Sequence, residues 1–151
     1  MYADPKVAAF IEQQFVPARV HVRAQADAFK RLGAQYNAQW TPTILLIDES
    51  GEERYRLEGF LPATDFLAQL KLGLGRAAFA RSSFADAERW FREVVRDHPD
   101  TDAAPEALYW AGVAKYKASG DASALAETYR AFQERYKDTS WATKASVWGK
   151  S

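Results

Sequence analysis

The sequence predicts an α/β (α+β) chain, with a small sheet and its flanking helices in the first half and an all-α region of helical hairpins in the second. Three observations carry this. Period-two alternation and one short apolar run bounded by turn residues are confined to the part before Thr64. From Thr64 onward apolar residues recur every three to four positions. Within that helical half the chain matches itself at a shift of 38 residues, His98 falling on Tyr136.

Asp4-Pro5 starts a helix, because Asp caps free amides and Pro at the first helical position loses no hydrogen bond. Val7, Phe10, Ile11 and Phe15 share one face, and Pro17 stops the helix by clashing with a further turn. Residues 16–22 are expected as a strand, since Val16, Ala18, Val20 and Val22 alternate with Pro17, Arg19, His21 and Arg23. A helix over 26–36 places Phe29, Leu32 and Tyr36 on one face. The run Ile44-Leu45-Leu46-Ile47 is too short for a helix and suits a strand buried on both faces. Glu49-Ser50-Gly51-Glu52 forms a turn, and residues 53–60 return as the second strand of a hairpin, with Tyr55 and Leu57 facing opposite to Arg54, Arg56 and Glu58.

The second half predicts helices over 64–82, 84–98, 104–119, 122–136 and 140–149. Gly73 and Gly75 interrupt the first, costing about 1 kcal/mol each relative to Ala unless they admit a close neighbour. At the 38-residue shift Thr101 meets Thr139, Ala104 meets Ala142, Ala107 meets Ala145 and Trp110 meets Trp148, while Phe91 meets Tyr129 and Val94 meets Phe132. Each unit is two helices and a connector, the signature of a helical solenoid in which every hairpin buries a face on the next.

Charge is balanced, with 20 basic against 20 acidic residues, which argues against a nucleic-acid or anionic-membrane partner. No apolar stretch is long enough for a membrane span, and no basic-then-apolar leader opens the chain, so a cytoplasmic location is expected. The chain has no cysteine, which removes disulfides, thiolate nucleophiles and iron–sulfur ligands together.

The segment from Asp4 to Leu70 resembles the C-terminal two-thirds of a thioredoxin-like domain: a helix ending in Phe15, a strand, the helix 26–36, Thr41-Pro42-Thr43, an apolar strand, the Gly51 hairpin, Gly59 and a last helix. The resemblance implies that Pro42 is a cis proline that helps bind extended peptide. It also implies a truncated sheet, because the strand carrying Cys-x-x-Cys would lie before Met1, leaving strands 16–22 and 43–48 without their shared neighbour. The segment from Leu67 to Trp148 resembles tetratricopeptide repeats of the bacterial envelope type, through Phe84-x-x-Ala87-x-x-x-Phe91, Pro99 and Ala107-Leu108-Tyr109-Trp110-x-Gly112. That family binds peptides and proteins without chemistry of its own. The two resemblances give a thioredoxin-like unit over 1–72 and repeats over 64–151, sharing the helix 64–82.

The expected function is non-catalytic binding of a protein or peptide, with no cofactor and no metal. The alternative is a piece of a thiol–disulfide oxidoreductase whose Cys-x-x-Cys lies upstream. An open sheet edge near Thr43 and Asp48 would pair with a second chain, giving a homodimer. Candidate peptide-binding residues are Trp40, Thr41 and Pro42 in the first half, and Tyr109, Trp110 and Tyr116 in the second, where aromatic residues dominate binding hot spots but also serve repeat packing. His21 and His98, the two histidines, have no carboxylate at ligand spacing and are not expected to hold zinc. Asp48, Glu49, Glu52 and Glu53 flank a hairpin tip and are expected to be solvated there.

Overall fold

A computed structural model describes residues 1–150. The chain divides into two compact units, Met1–Leu67 and a second from Ala68 on.

In the first unit, helix α1 spans Pro5–Gln14. Its start follows the sequence expectation: the Asp4 carboxylate accepts from the amides of Lys6 and Val7, and Pro5 occupies the first turn. Helix α2 spans Ala26–Gln35 and buries none of its residues fully. Strands β1 (Thr43–Ile47) and β2 (Glu53–Glu58) form an antiparallel hairpin, Ile44 opposite Leu57 and Leu46 opposite Tyr55, with an irregularity between Leu46 and Ile47. Helix α3, Ala63–Ala80, begins in this unit. The buried apolar side chains are Val7 of α1, Leu46 of β1, Leu57 of β2 and Phe66 of α3, so four elements each contribute one. Burying such a side chain fully is worth about 1.5–3 kcal/mol.

Three expectations fail here. Residues 16–22 do not form a strand: 15–21 are irregular and Val22 opens the turn into α2. Val16 is 99% exposed. A strand exists only as one side of a ladder, and the described sheet has two strands, β1 and β2, so the alternating pattern finds no partner. Nor is β1 buried on both faces: Leu46 alone is buried and Ile47 is exposed, and a face is covered by elements packed on it, not by ladder neighbours. The return strand also stops at Glu58 rather than 60, where Gly59 adopts a φ of +88°.

In the second unit α3 continues to Ala80, followed by α4 (Phe84–Asp97), α5 (Ala103–Ser119), α6 (Ser123–Glu134), α7 (Ser140–Ala145) and a 3-10 turn over Ser146–Gly149. Gly120, at φ +72°, closes α5 in the left-handed conformation that favours glycine. The repeat is visible bond by bond. The Thr101 hydroxyl donates to the His98 carbonyl at 2.8 Å, and 38 residues later the Thr139 hydroxyl donates to the Tyr136 carbonyl at 2.7 Å. Ala104 and Ala142, and likewise Ala107 and Ala145, are buried pairs.

Close approach explains Gly75 and Gly112. A Cβ on Gly75 would stand 2.5 Å from the buried Phe91 ring, and one on Gly112 would stand 2.1 Å from the Thr128 hydroxyl. The cost of glycine in α3 and α5 is thus offset by packing that no larger residue allows. Leu108, Phe132, Ala142 and Ala145 form the core at the C-terminal end, flanked by Tyr109, Tyr136, Trp141 and Trp148.

Gly112→Ala tests this balance. Helix propensity alone favours alanine by about 1 kcal/mol, whereas overpacking against Thr128 costs about 1–3 kcal/mol. A net loss of stability in urea denaturation is expected, and a gain would show that α5 and α6 can move apart freely.

Candidate functional site

The head of the hairpin is built by local bonds. The Thr43 hydroxyl donates to the Trp40 carbonyl at 2.6 Å, and the Gly59 amide donates to the Pro42 carbonyl at 2.9 Å. The second bond extends the ladder one pair beyond the strands and brings Gly59-Phe60 alongside Trp40-Thr41-Pro42. The Thr41–Pro42 peptide bond is cis. Trp40 is 71% exposed and Phe60 72% exposed, while Thr41 is exposed and Pro42 half-buried. Two large aromatic side chains therefore stand in water at one end of one hairpin. Single exposed apolar residues are ordinary, but an exposed tryptophan and phenylalanine together are a binding-surface composition. The sequence pointed to Trp40, Thr41 and Pro42 and missed Phe60, which alternation had placed inside the return strand.

The opposite, tip end of the hairpin is structural. One Asp48 carboxylate oxygen accepts from the Ser50 amide, the Ser50 hydroxyl and the Glu52 amide, and the other accepts from Arg54 Nε at 2.6 Å. These bonds, that of the Ser50 hydroxyl foremost, hold the Asp48 carboxyl well below the usual carboxylate range. Glu53 is lowered in the same way by Arg56. The acidic quartet is not uniformly solvated as expected: Asp48, Glu52 and Glu53 pair with Arg54 and Arg56. A carboxylate held ionised in this manner is a poor general acid near neutral pH.

His21 Nδ1 accepts from the amides of Arg23 and Ala24, each at 3.2 Å, and so caps the turn before α2. His98 is buried at the end of α4. Among the described residues no group of three or more His, Cys, Asp or Glu side chains is arranged to hold a metal.

In the second unit the three aromatic candidates do not form one site. Tyr109 stacks on Trp148 at 4.7 Å and packs against Trp141 at 5.3 Å. Trp110 meets Phe79 edge-on at 5.4 Å and lies under the Arg76 guanidinium at 4.5 Å. Both are packing residues, and Tyr109 supplies the cover for Trp141 and Trp148 that the sequence left unassigned. Tyr116 lies further along α5 and is exposed. Glu106 faces Arg76 at 3.6 Å; burial nevertheless raises its pKa, against the pull of Arg76 and Lys144.

The small α/β unit, with a cis proline heading its hairpin, belongs to a recognisable class. Residues 1–73 match the family model of thioredoxin-like domains, so the N-terminal part of this chain is similar to that family. These residues contain no cysteine. No curated protein and no solved structure matches the chain. Among the described residues no helix is long and apolar enough to cross a membrane.

Acid titration tests the hairpin tip. A carboxyl whose folded pKa lies below its unfolded value stabilises the fold above the unfolded pKa, about 3.9 for Asp, and loses that contribution as pH falls further. The melting temperature should therefore fall below about pH 4, and Asp48→Asn should flatten that fall. An unchanged acid limb in the variant would remove Asp48 from the account.

Proposed function

We infer that the chain is a non-catalytic binding module for a protein or an extended peptide. It would join a thioredoxin-like unit to helical hairpins that resemble tetratricopeptide repeats. The reading rests on one observation above others: Trp40 and Phe60, both more than two-thirds exposed, flank Thr41 and Pro42 at the head of the hairpin. An extended peptide laid across this ledge would bury both rings. Aromatic residues of this kind carry a large share of binding energy. The second unit supports the reading by its form, since stacked hairpins offer partner surfaces without chemistry. The absence of cysteine argues against dithiol exchange by these 151 residues.

A second reading is favoured by a different observation. Residues 16–20 have the composition of a strand and no partner, and β1 has a free edge, as in a sheet lacking its middle strand. In that case the natural protein is longer and is a thiol–disulfide oxidoreductase, with Cys-x-x-Cys upstream and Thr41-Pro42 opposite it. Codons upstream of Met1 that encode a strand followed by Cys-x-x-Cys would favour it.

A random-peptide display selection on the intact chain, followed by calorimetry, tests the first reading. Trp40→Ala and Phe60→Ala should each weaken a selected peptide about tenfold or more, equivalent to about 1.4 kcal/mol. Tyr116→Ala should change affinity by less than about twofold, or about 0.4 kcal/mol. Unaltered binding in Trp40→Ala would sink the ledge as the peptide site.

A further inference from the structure

We propose that the 151-residue chain pairs with a second copy of itself by reciprocal strand addition, residues 16–20 of each copy lying along the free edge of the other's β1.

The acceptor is defined by the hairpin register. The Gly59 amide donates to the Pro42 carbonyl, and Ile44 and Leu46 lie opposite Leu57 and Tyr55. In an antiparallel ladder bonded and non-bonded pairs alternate. Pro42, Ile44 and Leu46 therefore turn their backbone groups toward β2, while Thr43 and Leu45 turn theirs to the side with no strand. Natural sheets protect such an edge with charge, proline or a covering element. Thr43-Ile44-Leu45-Leu46-Ile47 carries no charge and no proline, and its irregularity comes only after Leu46.

The donor is the stretch whose strand pattern went unused. Phe15, just before it, already has extended geometry, with φ −133° and ψ 161°. Among the described residues, the backbone groups of 16–20 make no hydrogen bond, and Val16 is 99% exposed. Val16, Ala18 and Val20 give it one apolar side. Donor and acceptor are five residues each, about 16 Å of extended chain. Val16, Ala18 and Val20 carry backbone N–H and C=O groups that can meet those of Thr43 and Leu45, and Pro17, which has no N–H, falls between them. Because one chain holds both, a two-fold arrangement satisfies two donors and two acceptors and closes without leaving a growing end. Charge is compatible: Arg19 lies within the donor and Arg23 just beyond it, and Asp48, Glu49 and Glu52 follow the acceptor.

The test exploits the cysteine-free background. Ala18 and Leu45 are the middle residues of the two segments and would meet whichever direction the strands run. Ala18→Cys and Leu45→Cys chains, mixed and gently oxidised, should yield a disulfide-linked heterodimer in preference to either homodimer. Light scattering on the unmodified chain at micromolar concentration should give twice the chain mass. Residue 20 lies outside every helix and strand, so Val20→Pro should keep the circular dichroism and melting temperature while weakening dimerisation tenfold or more. Three results would overturn the proposal: a monomer at all concentrations, a double variant that closes its disulfide within one chain, or a Val20→Pro protein that dimerises as before. A longer natural chain that is monomeric, with its added residues on the β1 edge, would overturn it too. It stands apart from the peptide-binding reading, because a monomer that still binds peptide through Trp40 removes the dimer and leaves that reading intact.

Discussion

The Arg56 guanidinium ties the helix and the hairpin of the N-terminal unit together. It donates to the carbonyls of Tyr36 and Asn37 at the end of α2, and it pairs with Glu53 at 2.8 Å and Glu58 at 3.3 Å on its own strand. The carbonyls at a helix C-terminus have no partner within the helix and carry partial negative charge, so a cation there serves geometry and electrostatics together. The Glu53 hydrogen bond, with Glu58 behind it, raises the Arg56 pKa further above an already high value. The contact matters because α2 has no fully buried residue. Apolar burial by itself does not seat this helix. Arg56, with the Tyr36 hydroxyl donating to the Gly51 carbonyl at 3.1 Å, holds it against the hairpin.

A hairpin anchored in this way is left with one free edge and two unlike ends. The tip is saturated with short-range bonds around Asp48 and leaves little for a ligand. The head is held by two bonds and presents exposed aromatic rings. Exposed apolar surface thus collects where internal bonding is sparse, and the same hairpin has one bonded end and one open end. The second unit spends its aromatic residues differently. From Phe84 through Phe79, Trp110 and Tyr109 to Trp148, rings meet in sequence across α4, α3, α5 and the last turn. Such contacts add about 0.5–1.5 kcal/mol each beyond burial. They account for the density of aromatic residues without a ligand.

What was legible from the residues alone was whatever is decided locally. The Asp4 cap, the stop at Pro17, the Gly51 turn and the helices of the second half depend on neighbours within about four positions, and the structure has them close to where periodicity put them. The 38-residue repeat was legible for a related reason, since each hairpin packs chiefly on the next and the same residues recur at the same contacts. Trp40, Thr41 and Pro42 were legible through resemblance, whereas Phe60 was not, because its exposure depends on where β2 ends.

The sequence by itself determined the helices, the hairpin, the repeat and the lack of thiol chemistry in this chain. Tertiary structure alone decided the fate of residues 16–22, the half-open state of β1 and the division of aromatic residues between packing and exposure. The physical reason is common to all three. A helix satisfies its backbone within itself, but a strand does so only through a neighbour, near or far in sequence or on another chain. Alternation marks a segment as fit for a sheet and says nothing about whether the partner is present. In the same way, an aromatic spacing is silent on whether the facing element covers it, as Tyr109 covers Trp141 and Trp148, or leaves it in water like Trp40.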